Sequence, residues 1–364
     1  MKVLFFASDY KIGLSVLLVE QMNYLIKQPD IDFIAVAGEK EQTMGLSQKM
    51  DLNRIYLNRI NGLDDHSNFL SLAKTLDVLI NTNKCEFAHV QNNWQLLLVA
   101  YVKYIYRRNF KIIYTIHGFR HNQYFKSLIA KLLISIELLL FADIVFSPSS
   151  AVKEKFPLVK HKCMVLFLGV EGKYFFDSSP DFKQSHKNLI FAGQFRPGKN
   201  QKMIIRSVNL FIEKTGIRDF TLYLPGEGML RNDCIKLVEN LNLQEIIKFP
   251  GQLSREEIFD LYKKCQIAVI PTNYETFGHC IAEPFVMGLC VITRKVGIAK
   301  DLIKDGINGL IFVNADDLAV IFEKYLFCND ILETMSKQAL KSKDTLHWDN
   351  ISGDYVGSLK SSCT

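Results

Sequence analysis

Short runs dense in Val, Ile and Phe recur along this chain, each followed by a longer segment with apolar residues at helical spacing. Runs apolar at every position belong to strands covered on both faces. With helical segments between them, this is the sequence form of parallel sheets built from βαβ units. Strand candidates in the first half are Val3–Ala7, Phe33–Ala37, Ala88–Gln91, Ile112–Ile116, Ile144–Ser147 and Met164–Leu168, with helices over Ser15–Lys27, Phe69–Thr82, Trp94–Arg107 and Phe125–Phe141. The pattern stops at the polar stretch 177–187 and restarts with strands Asn188–Ala192, Thr221–Leu224, Ile246–Phe249, Ile267–Ile270, Cys290–Thr293 and Gly309–Phe312. Helices are expected there over Lys202–Lys214, Arg231–Leu241, Arg255–Lys264, His279–Met287 and Asp316–Leu326. The expected architecture is α/β with two Rossmann-like, doubly wound parallel-sheet domains, 1–180 and 181–345, and a terminal helix over 346–364. Two such sheets joined by a linker imply a cleft, with ligands at the carboxyl ends of strands.

Composition narrows the classes. The 364 residues are 48% apolar and 23% charged, enough for two cores. Eight cysteines lie scattered without a CxxC pair or metal-ligand spacing, so they read as free thiols and no metal is expected. The N-terminal apolar run is too short for a signal peptide and reads as a buried strand. Leu128–Phe141 carries Lys131 and Glu137 and falls short of a membrane span. The expected location is the cytoplasm, at most resting peripherally on the inner face of a membrane. Phe125–Phe141 reads first as a buried core helix. Of the net charge of +6, the first 180 residues hold +5, from 21 Lys/Arg against 16 Asp/Glu. That surplus suits an anionic membrane face or a phosphorylated lipid acceptor as well as an ordinary solvated surface. The one dense basic run, 104–111, is too little for a nucleic-acid partner.

The most informative segment is Val269-Ile-Pro-Thr-Asn-Tyr-Glu275-Thr-Phe-Gly278-His-Cys-Ile-Ala-Glu283. A strand runs into a short loop, and a helix then opens, aiming backbone N–H groups and the positive helix end at one spot that favours an anion such as a diphosphate. Carboxylates beside phosphate repel it, so Glu275 and Glu283 address neutral hydroxyls on either side, the sugar for Glu275 and the ribose for Glu283. Taken alone, the pair has a structural alternative: Glu275 caps the helix and Glu283 is solvated. Other segments carry turn glycines and cations: Phe191-Ala-Gly193-Gln-Phe-Arg196-Pro-Gly-Lys199, Leu224-Pro-Gly226-Glu-Gly228-Met-Leu-Arg231, Lys248-Phe249-Pro-Gly251 and Gly297-Ile-Ala-Lys-Asp301-Leu-Ile-Lys-Asp-Gly306. In the first half, Gly13 and Ser15 follow the first strand, and Tyr114-Thr-Ile-His117 ends another.

Glu275 and Glu283 together resemble the E-x7-E motif of the large retaining glycosyltransferase family 4, and residues 188–313 resemble that family nearly throughout. The resemblance implies a GT-B fold and a metal-independent transferase, which moves a sugar from a nucleotide-diphosphate sugar onto an acceptor hydroxyl with retention of configuration and uses no cofactor. It implies Glu275, Lys199 and His117 as catalytic residues. Glu283, Arg196, Gly13, Thr276, Phe277, Gly278 and Phe249 then contact the donor, Phe249 in the loop that receives the nucleobase. The chain departs from the pattern at Gln194, where relatives carry Arg, and at Ile298 and Asp301, where they carry Gly and Glu. The basic first half and the apolar Phe125–Phe141 segment point to an acceptor that is a saccharide or lipid-linked saccharide of surface-polysaccharide synthesis, with Arg120 and His121 beside His117 as candidate contacts. Trp348 in the terminal helix is implied to be structural. Two other classes stay open on the residues: a sugar-nucleotide epimerase or hydrolase on the same scaffold, and a non-catalytic nucleotide-sugar-binding partner.

Overall fold

The structure is a computed structural model that describes residues 1–6, 21–25, 27–38, 55–60, 66–117, 124–176 and 178–363. The chain divides into two compact units, one of residues 1–169 with 348–364 and the other of residues 170–347.

The first unit is a sheet of seven strands: β1 (Lys2–Phe6), β2 (Asp32–Gly38), β3 (Ile55–Ile60), β4 (Phe87–Val90), β5 (Lys111–Thr115), β6 (Ile144–Ser147) and β7 (Cys163–Val165). All pairs are parallel, in the order β3-β2-β1-β4-β5-β6-β7. Both faces are buried, which explains the unbroken apolar runs. In β1, Leu4 and Phe6 face helices α1 (Phe69–Asn83), α2 (Asn93–Ile105) and α3 (Tyr124–Phe141). Val3 and Phe5 face the terminal helix Trp348–Cys363, which reaches the sheet through Trp348, Ile351, Tyr355 and Leu359. This i, i+3, i+7, i+11 spacing puts all four on one helical face.

Trp348 fits because residue 169 is glycine: a Cβ there would lie 2.1 Å from the indole. His89, on β4, ties the same helix to the sheet. Its ring meets the Tyr355 hydroxyl at 3.0 Å and the Thr115 hydroxyl at 2.7 Å, and burial pulls its pKa down to about 3.

In this unit two features depart from the sequence reading. β3 was not expected, because Asn58 and Arg59 break the apolar run; as an edge strand it is freed from the demand of a central one. α3 is buried along one side only: Ser135 and Leu138 face the core, while several Leu and Ile side chains on the opposite side lie open. No helix among the described residues is long and apolar enough to cross a membrane.

The second unit holds β8 (Lys187–Ile190), β9 (Phe220–Tyr223), β10 (Ile247–Lys248), β11 (Ile267–Ile270), β12 (Cys290–Thr293) and β13 (Leu310–Ile311). They pair in parallel in the order β10-β9-β8-β11-β12-β13. Its helices are α4 (Gln201–Thr215), α5 (Arg231–Asn240), α6 (Arg255–Lys263), α7 (His279–Val286), α8 (Ala315–Tyr325) and α9 (Asn329–Lys341). Their boundaries follow local chemistry. Ser254 and Glu257 form a capping box for α6, Asn314 accepts from the Asp317 amide at the start of α8, and Gly216 ends α4 in the left-handed region. The strand order reverses between β8 and β11, so the loops leaving these two neighbours diverge and open a crevice at their carboxyl ends.

Candidate functional site

The crevice of the second unit is built from two loops, 191–200 after β8 and 271–278 after β11. They are bonded to each other. The Asn273 amide donates to the Gly198 carbonyl at 2.8 Å, and the Asn200 side chain donates to Pro271 O at 3.1 Å and to Asn273 Oδ1 at 2.5 Å. Each loop leads directly into a helix, α4 and α7, whose first amides have no intrahelical acceptor. Two positive helix ends therefore start from adjacent strands.

Between the loops, Lys199 Nζ lies 2.5 Å from Glu275 Oε1, and the two side chains are only 13% and 14% exposed. Burial works against the Lys199 ammonium, but Cys280 and the Glu275 carboxylate outweigh it and hold its pKa above the ordinary value. The carboxylate is the effective partner, since the Cys280 thiol, pushed up to about 12 chiefly by burial, stays protonated. Glu275 does not cap α7: the N-cap is Gly278, without a side-chain cap bond.

Glycines let the loops nest. Gly297 has φ +50°, and a Cβ there would lie 2.3 Å from Phe277 O and 2.8 Å from Glu275 Cβ. The Ile298 amide then closes on Phe277 O at 2.7 Å. Gly226 and Gly228 serve a different turn. Their missing Cβ atoms would strike the carbonyl oxygens of Gly193 and Phe195, so these glycines are accounted for by backbone packing.

Glu283 stands one turn further along α7, half-buried, and lines a cavity of about 250 Å³. Tyr174, Arg255, Tyr262, His279 and Cys280 share its wall. Burial, followed by the Glu283 charge, raises both tyrosine hydroxyls above their usual range. His279 is pulled down to about 4 by burial and then by Arg255, and its buried Nε2 has no hydrogen-bond partner. At neutral pH the cavity thus offers the Glu283 carboxylate and the Arg255 guanidinium among neutral tyrosine, histidine and thiol groups, a polar lining with acceptors and donors for hydroxyls. A larger recess of about 540 Å³ beside α9 is edged by Lys337, Lys341 and Lys343 and holds no carboxylate or histidine.

The other expected donor residues distribute unevenly. Phe277 is buried, and Thr276 and Gly278 lie in the loop with Glu275. Arg196 is exposed, near enough to Lys199 to oppose its charge. Phe249 packs its ring 5.9 Å from Phe195, and its carbonyl accepts from Arg231 at 3.3 Å. Gly13, Arg120 and His121 lie outside the described residues.

In the first unit, His117 sits past the end of β5, with Nε2 2.5 Å from Gln91 Oε1 and its pKa pulled down to about 4 by burial. The ring is neutral, donates through Nε2 and keeps a lone pair on Nδ1. Gln91 N donates to Gln95 Oε1 at 2.9 Å, and the amide nitrogens of both glutamines are buried without a partner.

Sequence reasoning missed Arg255, His279, Tyr174 and Tyr262 around Glu283, and Gln91 and Gln95 beside His117. His279 follows Gly278 directly and was within reach of the motif. Tyr174 reaches the cavity only through the tertiary fold.

Comparison with known proteins adds to this geometry. Residues 175–342 match the family model described as glycosyl transferases group 1. The chain is 26% identical over 196 residues to an uncharacterised glycosyltransferase of Methanocaldococcus jannaschii, a match covering 53% of this chain and 50% of that protein. It thus spans about half the length of that relative. It is 22% identical over 339 residues to an uncharacterised 41.2 kDa protein in the cps region of Klebsiella pneumoniae, covering 89% and 88% of the two chains. Anabaena HepE in complex with UDP and glucose superimposes with a TM-score of 0.75 at 18% identity, over 99% of this chain and 100% of that one. The architecture is the two-domain α/β GT-B fold.

Proposed function

We propose that this chain transfers a sugar from a nucleotide-diphosphate sugar to an acceptor hydroxyl, with retention of anomeric configuration and without a divalent metal, as the resemblance to glycosyltransferase family 4 implies. The observation that carries the reading is the Lys199–Glu275 pair at the reversal point of the second sheet, flanked by the starts of α4 and α7. The group 1 match over residues 175–342 indicates sugar transfer, and HepE, which shares the fold, is described with UDP and glucose.

The donor diphosphate lies at the starts of α4 and α7. Lys199 has three N–H donors, enough to hold Glu275 and a phosphate oxygen together. The nucleoside enters the cavity, where Glu283 accepts from the ribose hydroxyls, and Glu275 accepts from hydroxyls of the sugar. In transfer the bond from the anomeric carbon to the phosphate oxygen breaks, and the acceptor oxygen bonds to that carbon on the same face. The acceptor proton passes to the departing phosphate. Charge grows on the diphosphate as it leaves, so Lys199 and the helix ends stabilise the transition state more than the ground state. The acceptor reading, a saccharide or lipid-linked saccharide, rests on the neutral His117, Gln91 and Gln95 cluster, which suits hydroxyls, and on the likeness to a protein of a cps region.

A panel of nucleotide sugars tested by thermal shift identifies the donor, because a ligand bound only by the folded state raises stability. Transfer of that donor's sugar, with EDTA present, checks the chemistry. A panel that shifts nothing, or transfer abolished by EDTA, overturns the proposal.

A further inference from the structure

The outward side of α3 is almost wholly aliphatic. Ile129, Leu132, Leu133, Ile136, Leu139 and Leu140 are each between 40% and 60% exposed. At about 100° per residue they fall within an arc of roughly 120°, opposite the buried Leu138 and bordered by the buried Ser135. From Ile129 to Leu140 the stripe runs about 17 Å, at about 1.5 Å per residue. It widens sideways. Tyr104 and Ile105 at the end of α2 are 53% and 59% exposed, with the Tyr104 ring 6.1 Å from Phe141, and the turn Pro157–Val159 packs beside α3 with Leu158 outward. Scattered apolar residues on a surface need no explanation, but a continuous stripe on one helix does.

The charge balance of the sequence that carries the stripe bears on its partner. Residues 103–162 carry 11 Lys/Arg against three Asp/Glu, while the rest of the chain carries 33 against 35. Lys162 sits at the carboxyl end of α3, donating to Leu139 O at 2.7 Å and Ala142 O at 2.6 Å. Lys160, exposed, follows the turn Pro157–Val159 beside the outward Leu158. A second copy docked face to face through this stripe would bring cation against cation across the two-fold axis, which disfavours self-association.

We infer that the outer face of α3, with the end of α2 and the turn Pro157–Val159, docks the first unit onto an anionic lipid bilayer. The helix lies in the interfacial plane, its Leu and Ile side chains sunk to the headgroup boundary and the lysines meeting lipid phosphates. This goes beyond the transfer chemistry and does not depend on it.

Flotation of the full chain with vesicles of phosphatidylcholine alone, or of equal parts phosphatidylcholine and phosphatidylglycerol, tests the inference. Binding is expected to the anionic vesicles and to weaken with added salt, and Lys160→Gln, at the exposed residue that follows the turn Pro157–Val159, reduces it about fivefold. Leu133→Asp with Leu140→Asp abolishes binding. Because these two side chains are exposed, the variant keeps the circular dichroism of the parent. As a gain-of-signal check independent of that variant, Leu140→Trp gives an emission that shifts to the blue with anionic vesicles only. Equal binding to both vesicle types, no binding to either, or a Trp shift that appears without vesicles as protein concentration rises would overturn the inference.

Discussion

Replacing Lys199 with alanine separates two roles of one side chain. The 2.5 Å contact with Glu275 is mostly shielded, so its loss falls between the limits for exposed and fully buried pairs. That sets a cost of about 2 kcal/mol, or a fall in Tm of about 4–8 °C for a unit of this size. If Lys199 also stabilises the leaving diphosphate, turnover falls by about 10²–10³, the usual effect of removing one such donor. Nucleotide binding gives the sharper reading. Lys199→Ala leaves a carboxylate with no cation beside the phosphates, so UDP binding measured by calorimetry weakens. Lys199→Ala combined with Glu275→Gln removes the repulsion too, and binds UDP more tightly than the single variant. The sign of this coupling is the test. If Lys199→Ala keeps both UDP affinity and turnover within about twofold of wild type, the reasoning is refuted.

Three further outcomes are expected. Gly297→Ala forces a left-handed residue with a Cβ against Phe277 O and Glu275, costing at least about 1–2 kcal/mol and displacing the Glu275 loop; kcat falls more than UDP affinity, and an unchanged kcat argues against the nesting. His89 takes up its proton near pH 6.5 when unfolded and near 3 when folded. Stability measured by urea unfolding is therefore full above pH 6.5 and falls by about 1.4 kcal/mol per pH unit below it, while His89→Gln flattens that slope by one proton; equal slopes contradict the assignment. Glu283→Ala weakens UDP binding while leaving Tm nearly unchanged, and an unaltered affinity would remove the cavity from the donor site.

Much of this was legible in the sequence because central parallel strands must be apolar on both faces. The strands of the second unit were read from such apolar runs, Glu275 and Gly278 stood out because a loop after such a strand opens a helix, and Lys199 was drawn from the family resemblance. What was hidden depended on tertiary contact. β3 is an edge strand with a mixed pattern, and α9 mixes Leu332, Met335 and Ala339 with many polar residues. The α3 segment is predominantly apolar, which sequence reads as burial, yet it is buried along only one side. Nothing local marks Tyr174 or Arg255 as neighbours of Glu283, and Gln91 reaches His117 only because β4 and β5 are paired.

The central claim is best tested by following nucleoside diphosphate released from a panel of nucleotide sugars, with saccharide acceptors and EDTA present, and by reading the anomeric configuration of the product. The account predicts that one donor gives acceptor-dependent release well above the Lys199→Ala blank, with the donor's configuration kept in the new linkage. No release above that blank from any donor, or a product of inverted configuration, would contradict it.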